Sequence, residues 1–110
     1  ETRGLIGADE LQTLPPSAIL VNIARGPVVE TDALLAALQA NHLAGAALDV
    51  TDPEPLENDH PLWDLENVLL TPHVAGHTPE YYERLADIVA SNVDTILSDE
   101  DPTALRNRVA

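Results

Sequence analysis

The spacing of apolar residues changes several times along the chain, and each change marks an element. Gly7-Ala8-Asp9-Glu10-Leu11-Gln12-Thr13-Leu14 predicts a short helix, with Asp9 and Glu10 near its positive N-terminal end. Pro15-Pro16 stops it, because the first proline restricts Leu14 and neither supplies an amide hydrogen. Ala18 to Ile23 is almost wholly apolar and rich in β-branched residues, which predicts a strand covered on both faces. Asn22 is its one polar member and needs a hydrogen-bond partner if buried. From Thr31 to about Ala40, Leu34, Leu35 and Leu38 recur at helical spacing. Thr31 or Glu30 is placed to cap that helix, with Asp32 in its first turn. Gly45 to Val50 reads as the next strand, completing one right-handed βαβ unit.

Residues 51–66 break the pattern: three prolines and six acids show no helical period. A loop of this length is more often functional than decorative. Leu62, Trp63 and Leu65 are expected to anchor it to the body. Val68 to Leu70 gives a third short strand. Thr78-Pro79-Glu80 then has the form of a helix start. Leu85, Ile88, Val89, Val93 and Ile96 line one side of a helix running to about Leu97. The pattern as a whole predicts an α/β fold with a three-stranded parallel sheet, flanking helices and a long C-terminal helix.

Composition narrows this picture. At 110 residues the chain is at most one small domain. With 45% hydrophobic but only 3% aromatic residues, its core must be aliphatic. Absence of cysteine excludes disulfides and thiolate metal sites. No run approaches the roughly 20 apolar residues of a membrane span, and the expectation is a cytoplasmic protein. The formal net charge is −14, and all five basic residues are arginine. Such a balance opposes binding to nucleic acid or to an anionic membrane surface. It keeps a protein soluble, and it leads us to expect a halophilic source.

The chemistry-bearing residues follow the strands. Ile19-Leu20-Val21-Asn22-Ile23 runs into Ala24-Arg25-Gly26-Pro27. Ala44 to Val50 delivers Asp49 and runs into Thr51-Asp52-Pro53-Glu54-Pro55. Val68-Leu69-Leu70 runs into Thr71-Pro72-His73-Val74-Ala75-Gly76. In open parallel sheets, ligands bind beyond the carboxyl ends of the strands. An arginine there can hold an anion with its planar fork, and a carboxylate with a histidine can move a proton. His73 is therefore the candidate general acid/base. Glu54, flanked by Pro53 and Pro55, sits in a restricted loop. His42 and His60 read as surface residues.

These stretches resemble the signature of the D-isomer-specific 2-hydroxyacid dehydrogenases: Asn22-Ile23-Ala24-Arg25-Gly26, Ala47-Leu48-Asp49-Val50 with Glu54-Pro55, and Thr71-Pro72-His73-Val74-Ala75-Gly76. Thr2-Arg3-Gly4-Leu5-Ile6-Gly7 is similar to the segment preceding them in that family. The resemblance implies hydride transfer between NAD or NADP and a D-2-hydroxy acid or 2-oxo acid, on a partial Rossmann-type domain. It implies His73 and Glu54 as a catalytic pair, and Arg25 as catalytic and substrate-binding. It also implies Asp49 at the nicotinamide carboxamide, with Ile23, Ala24 and Gly76 bordering the ring. Gly76 is expected to permit close cofactor approach or a positive φ.

One departure bears on the reading. The family's Gly-x-Gly-x-x-Gly turn is missing, since Gly4, Gly7, Gly26, Gly45 and Gly76 are too scattered to build it. The expectation is a fragment: the second half of a nucleotide-binding domain (about 1–78) with a C-terminal helix and tail (about 79–110), inactive by itself. Self-association or a companion chain is expected for such a piece, and a homodimer for the whole protein. The alternative is a dinucleotide-sensing or corepressor-like protein on the same scaffold. A metal site using His73 and His77 is disfavoured, because Pro79 starts the helix after both. His77 is expected near the site.

Overall fold

The computed structural model describes residues 2–98 and 101–107. The chain divides into two compact units, the first ending at Ala75 and the second beginning at Gly76. In the first, helix α1 (Ala8–Gln12) precedes strand β1 (Ile19–Asn22), helix α2 (Thr31–Gln39) and strand β2 (Gly45–Leu48), and strand β3 (Val68–Leu70) follows. The three strands form one parallel sheet in the order β1-β2-β3. A progression in one direction with right-handed crossovers puts both connections on the same side. The core lies there, with Leu11 of α1, Leu34 and Leu38 of α2, and Leu43 and Leu62 of the connections almost fully buried. Ala46 and Leu48 of β2 join the same cluster. Each such leucine stabilises the fold by roughly 1.5–3 kcal/mol.

The opposite face of the sheet is open, which corrects the expectation of a strand covered on both sides. Val21, Ala47 and Leu69 lie in register across the sheet. Val21 is 63% and Leu69 61% exposed, with Ile19 and Ile23 equally open. α1, α2 and the β2–β3 connection all add their buried leucines to the one cluster, so the unit has no element left for this face.

Three further expectations change. Neither Glu30 nor Thr31 caps α2 through its side chain; the Thr31 hydroxyl instead donates to the Asp52 carbonyl at 2.9 Å. Leu62 anchors the long loop, whereas Trp63 stays half exposed, its indole N–H donating to the Glu57 carbonyl at 2.9 Å. His60 is no plain surface residue: its Nδ1 accepts the Leu62 N–H and caps the turn Pro61–Asp64. His42 is partly buried, its Nε2 shielded from solvent and without a partner among the described residues.

The second unit is built on helix α3 (Tyr81–Leu97), which starts later than its Thr78-Pro79-Glu80 lead predicts: Glu80 is the N-cap residue, no side chain caps the helix, and Thr78 and Pro79 precede it. None of its residues is buried within the described structure, and Leu85, Val89, Val93 and Ile96 form an exposed apolar side. The Asn92 side chain clasps the main chain of Arg106 with two hydrogen bonds, at 3.1 and 2.8 Å. His77 packs on Tyr81 and Tyr82, with ring centroids 5.3 and 6.0 Å away.

Candidate active site

The turn after β1 is shaped by one buried amide. Asn22 Nδ2 donates to the Arg25 carbonyl at 3.0 Å, and Asn22 Oδ1 accepts the Ala24 N–H at 3.1 Å. Both side-chain polar atoms of this one polar strand residue thus have a partner, and those partners fix the backbone that carries Arg25. Gly26 then presses on the neighbouring loop: a Cβ there would stand 1.9 Å from the Thr51 carbonyl oxygen. No side chain fits that gap, so glycine lets the turns after β1 and β2 touch backbone to backbone.

The turn after β2 carries two carboxylates with different roles. Asp49 is buried, and Asp49 Oδ1 accepts the Thr71 hydroxyl at 2.5 Å and the Val74 N–H at 2.9 Å. Asp49 Oδ2 accepts the Ala75 N–H at 2.8 Å. The Thr71 hydroxyl above all, then the Ala75 and Val74 amides and the nearby His73 imidazole, outweigh burial and hold the Asp49 carboxyl below its ordinary value of 3.8. Glu54 is more open and reaches the third turn, where its Oε1 stands 2.6 Å from His73 Nδ1. Both partners of that pair are roughly half exposed.

The turn after β3 reverses sharply at the histidine. The His73 N–H donates to the Thr71 carbonyl at 3.0 Å, and His73 has φ 56°. A left-handed conformation costs a residue with a Cβ about 1–2 kcal/mol. Strain of this kind concentrates where surrounding bonds impose it, often at functional sites. Gly76 has no positive φ, contrary to one expectation, and the space around its Cα is open. The reversal comes three residues earlier, where the Asp49 bonds pull in the chain on both sides of His73.

A concavity of about 410 Å³ opens among these turns, lined by Asp49, Thr51, Glu54, Leu70, Thr71 and His73 with Pro55, Leu56, Trp63 and Pro72. The structure therefore brings together Asp49, Glu54 and His73. It does not bring Arg25 to them: that guanidinium is exposed and donates to the carbonyl of its neighbour Ala24 at 2.6 Å. Ile23 and Ala24 line a separate concavity along β1, shared with Ile6, Leu14 and Val28. Gly76 and His77 belong to the second unit. Thr71 and Trp63 were not picked out from the sequence as site residues. Thr71 carried a signal, a hydroxyl two positions before the candidate base, and Trp63 is the only tryptophan.

Chemically, the arrangement offers an imidazole whose Nδ1 is held by a carboxylate, leaving Nε2 to exchange a proton. Among the described residues Asp49 Oδ2 has a single donor, and it retains acceptor capacity at the cavity edge for an N–H of a bound group. Among the described residues, no cluster of three His, Asp or Glu suits a metal ion.

A glyoxylate reductase from Thermofilum pendens is 46% identical over 108 residues, 98% of this chain and 32% of that protein. One from Pyrococcus furiosus is 45% identical over the same shares. The chain thus spans about a third of the length of the curated relatives it matches. A crystal structure of a D-isomer specific 2-hydroxyacid dehydrogenase from Xanthobacter autotrophicus, in complex with NADPH and MES, superposes with TM-score 0.79 at 42% identity, covering 99% of this chain and 43% of that one. Residues 1–75 match the family model described as D-isomer specific 2-hydroxyacid dehydrogenase, NAD binding domain. By that match the chain belongs to the D-isomer specific 2-hydroxyacid dehydrogenase family, within its NAD-binding domain.

Proposed function

We propose that this chain forms the nicotinamide side of an NAD(P)-dependent oxidoreductase that interconverts a small D-2-hydroxy acid and its 2-oxo acid. The observation that carries it is the His73–Glu54 pair, 2.6 Å apart at the rim of a cavity beside the buried Asp49. In the reducing direction, His73 gives its Nε2 proton to the substrate carbonyl oxygen, and in the oxidising direction it removes that proton. Glu54 fixes the ring's orientation and stabilises the charged imidazolium. Arg25 binds the substrate carboxylate, its guanidinium turning away from the Ala24 carbonyl to do so. Asp49 Oδ2 accepts the carboxamide amide, while Ile23, Ala24 and Gly76 border the ring. The nicotinamide, when bound, donates or accepts the hydride.

Glyoxylate is the substrate class to test first, given the names of the relatives at 45–46% identity. In our reading residues 1–78 are the second half of the nucleotide-binding domain, followed by a C-terminal helix. A dinucleotide turn and a substrate domain from outside this sequence complete the enzyme, and this chain by itself is inactive. The open apolar face of the sheet supports that need for further structure. We further read the whole protein as a cytoplasmic homodimer from a halophile; among the described residues, no helix is long and apolar enough to cross a membrane.

The test places this chain in a complete dehydrogenase framework and follows loss of NADH or NADPH absorbance on adding glyoxylate, pyruvate or a branched 2-oxo acid. Turnover that falls by about 10²–10⁴-fold in His73→Asn is expected, the usual range for a general acid/base. Cofactor binding without turnover of any 2-oxo acid sinks the enzyme reading in favour of a sensing role.

A further inference from the structure

The His73 backbone conformation is unfavourable for any residue bearing a Cβ, so something must hold it. The holding bonds are unusual in arrangement. Residues on both sides of His73 converge on a single buried carboxylate: the Thr71 hydroxyl before it, and the Val74 and Ala75 amides after it, all end on Asp49. The Thr71 carbonyl also accepts the His73 N–H at 3.0 Å. The turn is thereby closed like a loop of string pinned at one point, with the imidazole at its apex.

We propose that Thr71 is a positioning residue for His73, acting through Asp49. Two groups of one residue do this. The hydroxyl ties the chain entering the turn to the same carboxylate that holds the chain leaving it, and the carbonyl directs the amide of His73 inward. Without the hydroxyl, Asp49 keeps only the amides beyond His73. The entry side is then untied, the residue at 73 relaxes from φ 56°, and its Nδ1 leaves Glu54. This deepens the dehydrogenase reading and rests on it for its catalytic meaning: the carboxylate proposed to seat the carboxamide is also the pin of the turn that carries the base.

The experiment is nuclear magnetic resonance on the complete dehydrogenase that carries this chain, comparing wild type, Thr71→Val and Thr71→Ser. Three signals are read: the amide–Hα coupling of His73, which reports φ; the exchange rates of the Val74 and Ala75 amides; and the imidazole nitrogen shifts, which report the bond to Glu54. In Thr71→Val the two amides should exchange at least about tenfold faster, while the Leu48 amide inside the sheet is unchanged. The His73 coupling and nitrogen shifts should move with them, and Thr71→Ser should restore all three. Unchanged His73 signals in Thr71→Val overturn the proposal, as does a failure of serine to rescue. If Thr71→Val does not fold, an acid titration of wild type decides: His73 coupling that follows the Asp49 carboxylate resonance supports the latch, and coupling indifferent to it overturns it. None of these signals requires turnover. A broken latch and a wrong enzyme assignment are therefore separately visible.

Discussion

The imidazole of His73 meets the carboxylate of Glu54 at 2.6 Å, although they stand nineteen positions apart in the chain. The contact joins the turns that follow β2 and β3, so it exists only when β2 and β3 pair in their parallel register. Fold and proton chemistry are coupled at this point.

That coupling makes Glu54→Gln informative. The amide keeps the shape and a hydrogen bond but loses the charge that stabilises an imidazolium. In the assembled enzyme kcat should fall by roughly 10²-fold or more, because a carboxylate orienting a catalytic histidine contributes at least this much elsewhere. A wild-type kcat contradicts the pairing.

Much of this was legible in the sequence. α2 announced itself through Leu34, Leu35 and Leu38, and β2 and β3 through short apolar runs bounded by turn residues. What was not legible is what covers each face. Val21 and Leu69 have strand-like patterning, but a pattern states a preference for burial and does not name the element that satisfies it. The convergence of Thr71, Val74 and Ala75 on Asp49 was equally hidden, since it joins residues at least 22 positions apart through side-chain geometry. Glycine's tolerance of positive φ pointed to Gly76, yet the reversal falls on His73 because hydrogen bonds can impose a conformation that composition disfavours.

Asp49 gives a stability prediction with a definite sign. Its folded carboxyl titrates below the ordinary value of 3.8, first because of the Thr71 hydroxyl. The charged form is therefore favoured by folding, and its contribution is fully present above the ordinary carboxylate range. It disappears as pH falls through the lowered folded value. Asp49→Asn should thus be less stable than wild type near neutrality, and the gap between their urea midpoints should close in acid. A gap independent of pH removes the charge from the explanation.

Gly26→Ala tests the contact between the first two turns. The new methyl would lie 1.9 Å from the Thr51 carbonyl oxygen, so backbone must move rather than a flexible side-chain tip. Overpacking of this kind destabilises by about 1–3 kcal/mol and sometimes more. The urea midpoint should fall accordingly, and the separation of the turns should also disturb the Thr31 hydroxyl bond to Asp52, which is 2.9 Å in the native structure. A midpoint equal to that of wild type would mean that the turns are further apart than described.

The charge of −14 makes salt the last discriminating variable. With this excess, carboxylates across the surface repel one another in the folded state more than in an expanded chain. Simple salt screens that repulsion, but the screening length is already about 10 Å at 0.1 M and about 3 Å at 1 M. Ordinary screening therefore delivers most of its benefit below a few tenths molar. A halophilic protein should instead keep gaining stability into the molar range of potassium chloride, because its carboxylates organise hydrated cations as well as being screened by them. The expected result is a thermal midpoint that is low in dilute buffer and still climbing at molar salt. A midpoint that levels off early, or full stability in dilute buffer, would leave the acidic surface as a solubility feature and remove the halophilic assignment.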